Sequence, residues 1–429
     1  MAAKVALLAL VIFFPVAASP AYDKPRGFHA AMTRRDPSIN FTLAAHKSHE
    51  RLSLLAARFD ATTGGSVGPQ APLRLDAGGA AYDMTFSIGT PPQKLLALAD
   101  TGSDLIWTKC GVCLQCSPQG TPSYYPDSSS SFSKLPCSEP LCAALTSESV
   151  AACGASGAEC FYRYSYGLAA NPHHYTQGYL GKETLTLGGD AVPGIGFGCT
   201  TMSEGGYGTG GSGLVGLSRG PLSLVTQLNV GAFSYCLATK ASKSSPLLFG
   251  ALAVLSGAGV QATPLLPSSS FYVVDLKTIS IGSETTTGAG TAGVIFDSGT
   301  AVAFLAEPAY TAALKVVLSQ TKLPRTSAIA GYEACFLKQR EDGSDDDSWK
   351  TSIPSMALHF DGGADMALPL ENYFGQVRRG VVCWIVQRSP SLSIVGNIMQ
   401  MSYHIRYDVG EDVLSFQPAN CDRFRLNED

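Results

Sequence analysis

An all-β chain made of two duplicated lobes is what this sequence predicts, and three observations carry the prediction. Its 429 residues include 45 glycines and 25 prolines, a density of turn formers that suits short strands better than long helices. From Tyr82 the pattern takes a period of two, with Tyr82, Met84, Phe86 and Ile88 alternating with Asp83, Thr85 and Ser87, as in a half-buried strand. The third observation is a repeat: Asp100-Thr101-Gly102-Ser103 returns as Asp297-Ser298-Gly299-Thr300, its hydroxyl residues exchanged. Ser87-Ile88-Gly89 precedes the first copy and Ser280-Ile281-Gly282 the second. Leu214-Val215-Gly216-Leu217 and Ile394-Val395-Gly396-Asn397 follow at long range. Turn chemistry accounts for a single tetrad. It does not account for three features in the same order twice, which marks an internal duplication.

Taken in order, the chain opens with Lys4, an apolar run from Val5 to Val16, and small residues at Ala17, Ala18 and Ser19. This reads as a secretory signal peptide over residues 1–18, because the run is short for a membrane span; a signal anchor is the alternative. Residues 19–75 read as a propeptide. Within it, Leu52, Leu55, Ala56 and Phe59 share one face of a helix over Glu50–Phe59. Ala61–Gln70 is an exposed linker open to cleavage, and Asn40-Phe41-Thr42 is the sole N-glycosylation sequon. An N-terminal lobe is expected over 76–250 and a C-terminal lobe over 251–429. Lys243–Pro246 and Pro267–Ser270 bracket the passage between them.

In the first lobe, Gly89–Gln93 turns the alternating strand into a second apolar strand that ends at Asp100. Ser117–Gly157, rich in Ser and Cys, is a disulfide-stapled insertion with at most short helical turns. In the second lobe, Pro308–Leu318 is a helix with Ala312, Val316 and Leu318 apolar. The acidic run Glu341–Asp347 is a solvated loop and not a calcium site.

Charge and cysteine usage narrow the function. Seven Lys/Arg against four Asp/Glu from Ser19 to Gln70 leave the leader near +3, whereas 22 against 30 from Ala71 onward leave the remainder near −8. No basic patch points to nucleic acid. No later apolar run or C-terminal signal points to a membrane anchor. Twelve cysteines suit an oxidising compartment and six disulfides. Cys110, Cys113 and Cys116 lack a fourth ligand at suitable spacing for zinc. Gly206–Gly211 satisfies G-x-G-x-x-G without a strand–turn–helix context, and neither HExxH nor G-x-S-x-G occurs. No metal or cofactor is expected.

Each tetrad follows an apolar run, Leu95–Ala99 or Val294–Phe296, and is followed by more apolar residues. Both aspartates are thereby placed on tight turns at the ends of buried strands. A lone buried carboxylate protonates. Two that share a proton can serve as base and acid toward one water.

In this combination of motifs, from about Tyr82 to the C-terminus, the chain resembles the pepsin-family aspartic proteases, and its cysteine-rich segment resembles their plant nepenthesin-like branch. The resemblance implies a bilobal all-β fold of two β-barrel-like lobes flanking a cleft, with Asp100 and Asp297 as the catalytic pair. Gly102 and Gly299 would offer amides to the inner carboxylate oxygens, and Ser103 and Thr300 hydroxyls to the outer ones. Thr101 and Ser298 would tie the lobes together. Tyr166-Gly167 matches the tyrosine and glycine of a substrate flap, with Trp107 as the tyrosine's partner and Tyr164 a weaker candidate. The stretch Leu168–Gly178, including His173 and His174, departs from the short family tip.

The branch also suggests six disulfides, Cys110–Cys113, Cys116–Cys199, Cys137–Cys160, Cys142–Cys153, Cys236–Cys421 and Cys335–Cys383. The Cys236–Cys421 bridge closes the longest loop, a contribution on the order of 4–5 kcal/mol by chain entropy. The expectation is a monomeric, secreted or vacuolar acid endopeptidase made as a zymogen, cutting polypeptides and bound by pepstatin-type inhibitors. The alternative is a non-catalytic binder on the same fold, as in plant xylanase inhibitors. Such relatives lose parts of the tetrads that this chain keeps.

Overall fold

The computed structural model describes residues 27–62, 80–116, 120–147, 151–165, 175–204, 211–268, 270–288, 293–338 and 347–424. The expected signal peptide, most of the linker and acidic run, and the expected flap residues Tyr166 and Gly167 with His173 and His174 lie outside these. Strands dominate, and the largest sheet has 15 among the described residues. The alternating segment forms the strand Tyr82–Ile88 and the apolar one Gln93–Asp100, paired antiparallel. Buried Tyr82, Met84, Phe86 and Ile88 face the core. Asp83 departs from the simple alternation: it is buried too, because Arg35 donates to its Oδ2 at 2.7 Å.

The duplication has a direct geometric meaning. Gly213–Gly216 runs parallel to Gln93–Asp100 and sets Gly216 opposite Asp100. Ser393–Gly396 runs parallel to Val294–Asp297 and sets Gly396 opposite Asp297. A Cβ on Gly216 would lie 2.0 Å from the Asp104 carbonyl oxygen, and one on Gly396 2.4 Å from that of Val302. No side chain fits at either place, so each apolar-apolar-Gly signal is the strand that backs its aspartate. The second lobe adds a five-stranded sheet holding Val294–Asp297 and two four-stranded sheets. Phe233 stacks on Tyr407 at 4.6 Å between ring centres, and the Tyr235 and Tyr407 hydroxyls meet at 2.5 Å in the shared core.

The leader carries more structure than the periodicity indicates. Its helix spans Phe41–Thr62, beginning nine residues before Glu50 because Asn40 caps it, its Oδ1 accepting from Leu43 N at 3.0 Å. A strand, Gly27–Arg34, precedes it and pairs antiparallel with both Ser244–Gly250 and Tyr82–Ile88. Lys243–Pro246 therefore leads into a central strand and not into a connection. In the second lobe the helix is Ala309–Gln320, with Pro308 at its N-cap position. Among its described residues the insertion holds a short α-helix, Pro140–Ser147, and a single 3-10 turn, Pro126–Ser128.

All twelve cysteines are bridged, but four of the six expected pairings are corrected. Cys236–Cys421 and Cys335–Cys383 are present as expected. The others are Cys110–Cys199, Cys113–Cys116, Cys137–Cys153 and Cys142–Cys160. Strand register explains the first. Trp107–Lys109 lies parallel to Asp190–Glu204 with Thr108 opposite Cys199, which carries Cys110 alongside. Fully buried Cys142 of the insertion pairs inside with Cys160 of the strand that follows it, while Cys137 and Cys153 pair nearer the surface. The two bridges sit side by side, the sulfurs of Cys137, Cys142 and Cys153 lying within 4.8 Å of one another.

Candidate active site

Asp100 and Asp297 end their strands with no exposed surface, and the structure brings the two tetrads together. The Gly102 amide donates to Asp100 Oδ1 and the Gly299 amide to Asp297 Oδ1, both at 3.0 Å. Ser103 Oγ donates to Asp100 Oδ2, and Thr300 Oγ1 to Asp297 Oδ2. The glycines are also needed for space: a Cβ at Gly102 would stand 2.8 Å from Asp297 Oδ1, and one at Gly299 2.3 Å from Asp100 Oδ1. Between the tetrads, Thr101 N donates to Ser298 Oγ at 3.0 Å and Ser298 N to Thr101 Oγ1 at 2.8 Å. Each hydroxyl then donates to the opposite strand, Thr101 Oγ1 to Phe296 O at 3.2 Å and Ser298 Oγ to Ala99 O at 3.0 Å. Asn397, missed by sequence reasoning, braces the second loop by donating from Nδ2 to Ser298 O at 2.8 Å.

The larger omission is Arg51. The leader helix lays Ala44, Ala45, Ser48, Arg51, Leu52 and Leu55 against the body, and all six are buried. Arg51 Nη2 donates to Asp100 Oδ1 at 2.6 Å and to Asp297 Oδ1 at 2.9 Å, while Nε donates to Asp297 Oδ2 at 2.7 Å and Thr300 Oγ1 at 3.0 Å. One guanidinium thus occupies the gap between the carboxylates. Elsewhere the helix rests on the second lobe: Ser48 Oγ accepts from Val302 N at 3.3 Å, Tyr332 Oη donates to Phe41 O at 2.9 Å, and Phe59 lies 6.4 Å from Phe271. In the sequence Arg51 stands beside Leu52 and Leu55, but Lys47 and Arg58 recur four and seven residues away at helical spacing, so nothing local singles it out.

The electrostatics of the pair are uneven. Burial, with the neighbouring Asp297 charge, pushes the Asp100 carboxyl up despite Arg51 and Ser103. Burial acts in the same direction on Asp297, but the Arg51 charge and the hydrogen bonds from Arg51, Thr300 and Gly299 outweigh it and hold that carboxyl below the usual range. Burial disfavours the Arg51 cation, yet the two carboxylates raise its affinity for the proton overall. One shared proton and one cation make the buried cluster neutral, the state a low dielectric favours.

Trp107 opens the strand Trp107–Lys109 and is buried in a cluster with Tyr162, Tyr164 and Leu214. Its expected flap partner Tyr166, with Gly167, lies outside the described residues. No described helix is long and apolar enough to cross a membrane.

Comparison with known proteins agrees with this architecture. Residues 82–251 match the family model described as xylanase inhibitor N-terminal, and 271–418 that described as xylanase inhibitor C-terminal. Aspartic proteinase nepenthesin-1 of Nepenthes gracilis is 39% identical over 418 residues, covering 93% of this chain and 91% of the relative. Nepenthesin-2 of the same plant is 38% identical over 362 residues, covering 80% and 79%. The crystal structure of conglutin gamma from lupine seeds shares the fold, with a TM-score of 0.68 at 16% identity, covering 94% of this chain and 100% of that one. The chain belongs to the pepsin-like aspartic endopeptidases and, within them, to the plant nepenthesin-like branch.

Proposed function

We propose that this endopeptidase is secreted or delivered to the vacuole as a zymogen and works at acid pH, using a water held between Asp100 and Asp297. The observation that carries the reading is the symmetric seating of two buried carboxylates with one leader cation between them. With the leader gone, a water takes the guanidinium's place. The ionised carboxylate accepts its proton as the oxygen attacks the peptide carbonyl, and the protonated carboxyl supplies a proton that the leaving nitrogen later takes up. Fixed amide and hydroxyl donors hold the carboxylate planes throughout, so little reorganisation accompanies the reaction. The apolar surfaces at Phe271 and Phe304 that face the leader helix suit a peptide with large apolar side chains.

The test is acid incubation of the purified full-length protein, with and without pepstatin, following self-cleavage and digestion of denatured globin. Cleavage is expected in acid and not at neutral pH, and pepstatin should block it. Asp100→Asn and Asp297→Asn should each abolish it while leaving the circular dichroism spectrum intact. Persistent cleavage in both variants would overturn the assignment. A second reading, raised only by the wording of the matched family models, is a xylanase-binding protein without activity. The complete set of bonds around both tetrads argues against it. Slowing of a xylanase by a preparation that leaves globin uncut would restore it.

A further inference from the structure

We propose that Asn40 carries an N-linked glycan and that this carbohydrate belongs to the latent form alone. The inference rests on the secretory reading above, because the glycan donor, a lipid-diphosphate-linked oligosaccharide, is met on that route. Asn40-Phe41-Thr42 satisfies the acceptor pattern, with a residue other than proline at its centre. The docked leader presents it in a usable way. Asn40 and Thr42 are exposed, whereas Phe41 between them is turned toward the body. A Cβ at Gly375 would stand 2.5 Å from the Phe41 ring, and the Phe41 carbonyl accepts the Tyr332 hydroxyl.

Asn40 also caps the leader helix, and here the two amide atoms divide their duties. Oδ1 accepts from Leu43 N, and the backbone carbonyl accepts from Ala44 N at 2.8 Å. Nδ2 makes no hydrogen bond among the described residues. Glycosylation uses Nδ2 only: it forms a bond to C1 of the first sugar, the C1–O bond to the diphosphate breaks, the diphosphate leaves with the electron pair, and one amide proton is lost. The cap therefore survives modification. Asn40 precedes Arg51 and the linker, so the cut that frees the site discards the glycan with the helix. The sequence has no second Asn-X-Ser/Thr, which leaves the processed enzyme without N-linked sugar.

The experiment expresses the full chain in a eukaryotic secretory host and treats the secreted protein with peptide-N-glycosidase before and after acid processing. Asn40→Asp, which keeps an acceptor for the cap, and Thr42→Ala, which keeps Asn40 itself, serve as controls. The full-length protein should lose mass on treatment, the processed large fragment should not, and neither variant should shift although both remain latent. A secreted full-length chain with no shift overturns the glycan alone. A shift in the large fragment, or in either variant, overturns its confinement to Asn40. A chain kept inside the cell with its signal segment uncut overturns the secretory reading and the glycan with it.

Discussion

Arg51 makes four hydrogen bonds from two of its nitrogens to three residues, and that arrangement sets what substitutions there should do. A guanidinium is planar and can hold both carboxylates and the Thr300 hydroxyl at once, whereas an ammonium is a single point on a flexible stem. Removing one partner of a buried pair costs about 3–5 kcal/mol, although here the dyad can relieve part of this by taking up a proton. Arg51→Leu should dock its leader so weakly that the uncut protein hydrolyses a small peptide at mildly acidic pH, where the parent stays silent. Arg51→Lys should fall between them. Equal latency in all three would mean that the helix blocks the cleft by bulk and the cation is incidental. The tetrads themselves were legible because both copies of an unusual pattern are contiguous. Arg51 was not, since its partners lie 49 and 246 residues away and no local rule says where a helix face will dock.

Among the elements, strands of strict alternation and the Ala309–Gln320 helix could be read from periodicity with small errors at the ends. The leader strand was missed although Phe28, Ala30 and Met32 alternate as they should. Its neighbours in the sheet come from distant sequence, so only the fold reveals that a slot exists. Four of the six disulfide pairings failed for a related reason, since the register that sets Cys199 beside Cys110 and Cys153 opposite Cys160 joins distant or inserted strands. Glu183 is another such case. It is buried in the long strand Tyr175–Leu187 and accepts from Tyr124 Oη, Ser131 Oγ, Ser129 Oγ at 2.7 Å and Thr184 N at 2.6 Å. Ser129 Oγ in turn accepts from Thr90 N at 2.8 Å, which ties the insertion to the turn that leads into the Asp100 strand. Burial pushes this carboxyl up, but the donors from Ser131, Tyr124, Thr184 and Ser129 outweigh it and hold it low. A depressed carboxyl contributes stability above its unfolded value and loses it as pH falls through the folded one. Glu183→Gln should therefore lower the midpoint of thermal unfolding at neutral pH, at a cost of about 1–3 kcal/mol. The gap should narrow in strong acid. A constant gap across pH would mean that the charge of Glu183 is not what the donors require.

For the molecule as a whole, the leader is held at two places with different responses to acid. Its strand is paired through backbone amides with Ser244–Gly250 on one side and Tyr82–Ile88 on the other, and those bonds do not titrate. Its helix is held at Arg51 by a carboxyl pair. In the docked state Asp297 is held low, burial being overcome by the cation that the helix supplies, so that contact should favour docking above the ordinary aspartate range and be lost as pH falls through the lowered value. Below that point both carboxyls are protonated, and the guanidinium is left buried without a counter-charge. The leader near +3 and the body near −8 lose their general attraction over the same range as surface carboxylates protonate. Opening should therefore proceed from the helix toward the strand. Hydrogen exchange at short times over a descending pH series, corrected for intrinsic rates, should show amides of 41–62 losing protection first, while 27–34 stay protected until the chain is cut. Loss of both together, or of the strand first, would mean that acid loosens the central sheet itself, and the Arg51 contact would then be a consequence of docking and not the lock that acid releases.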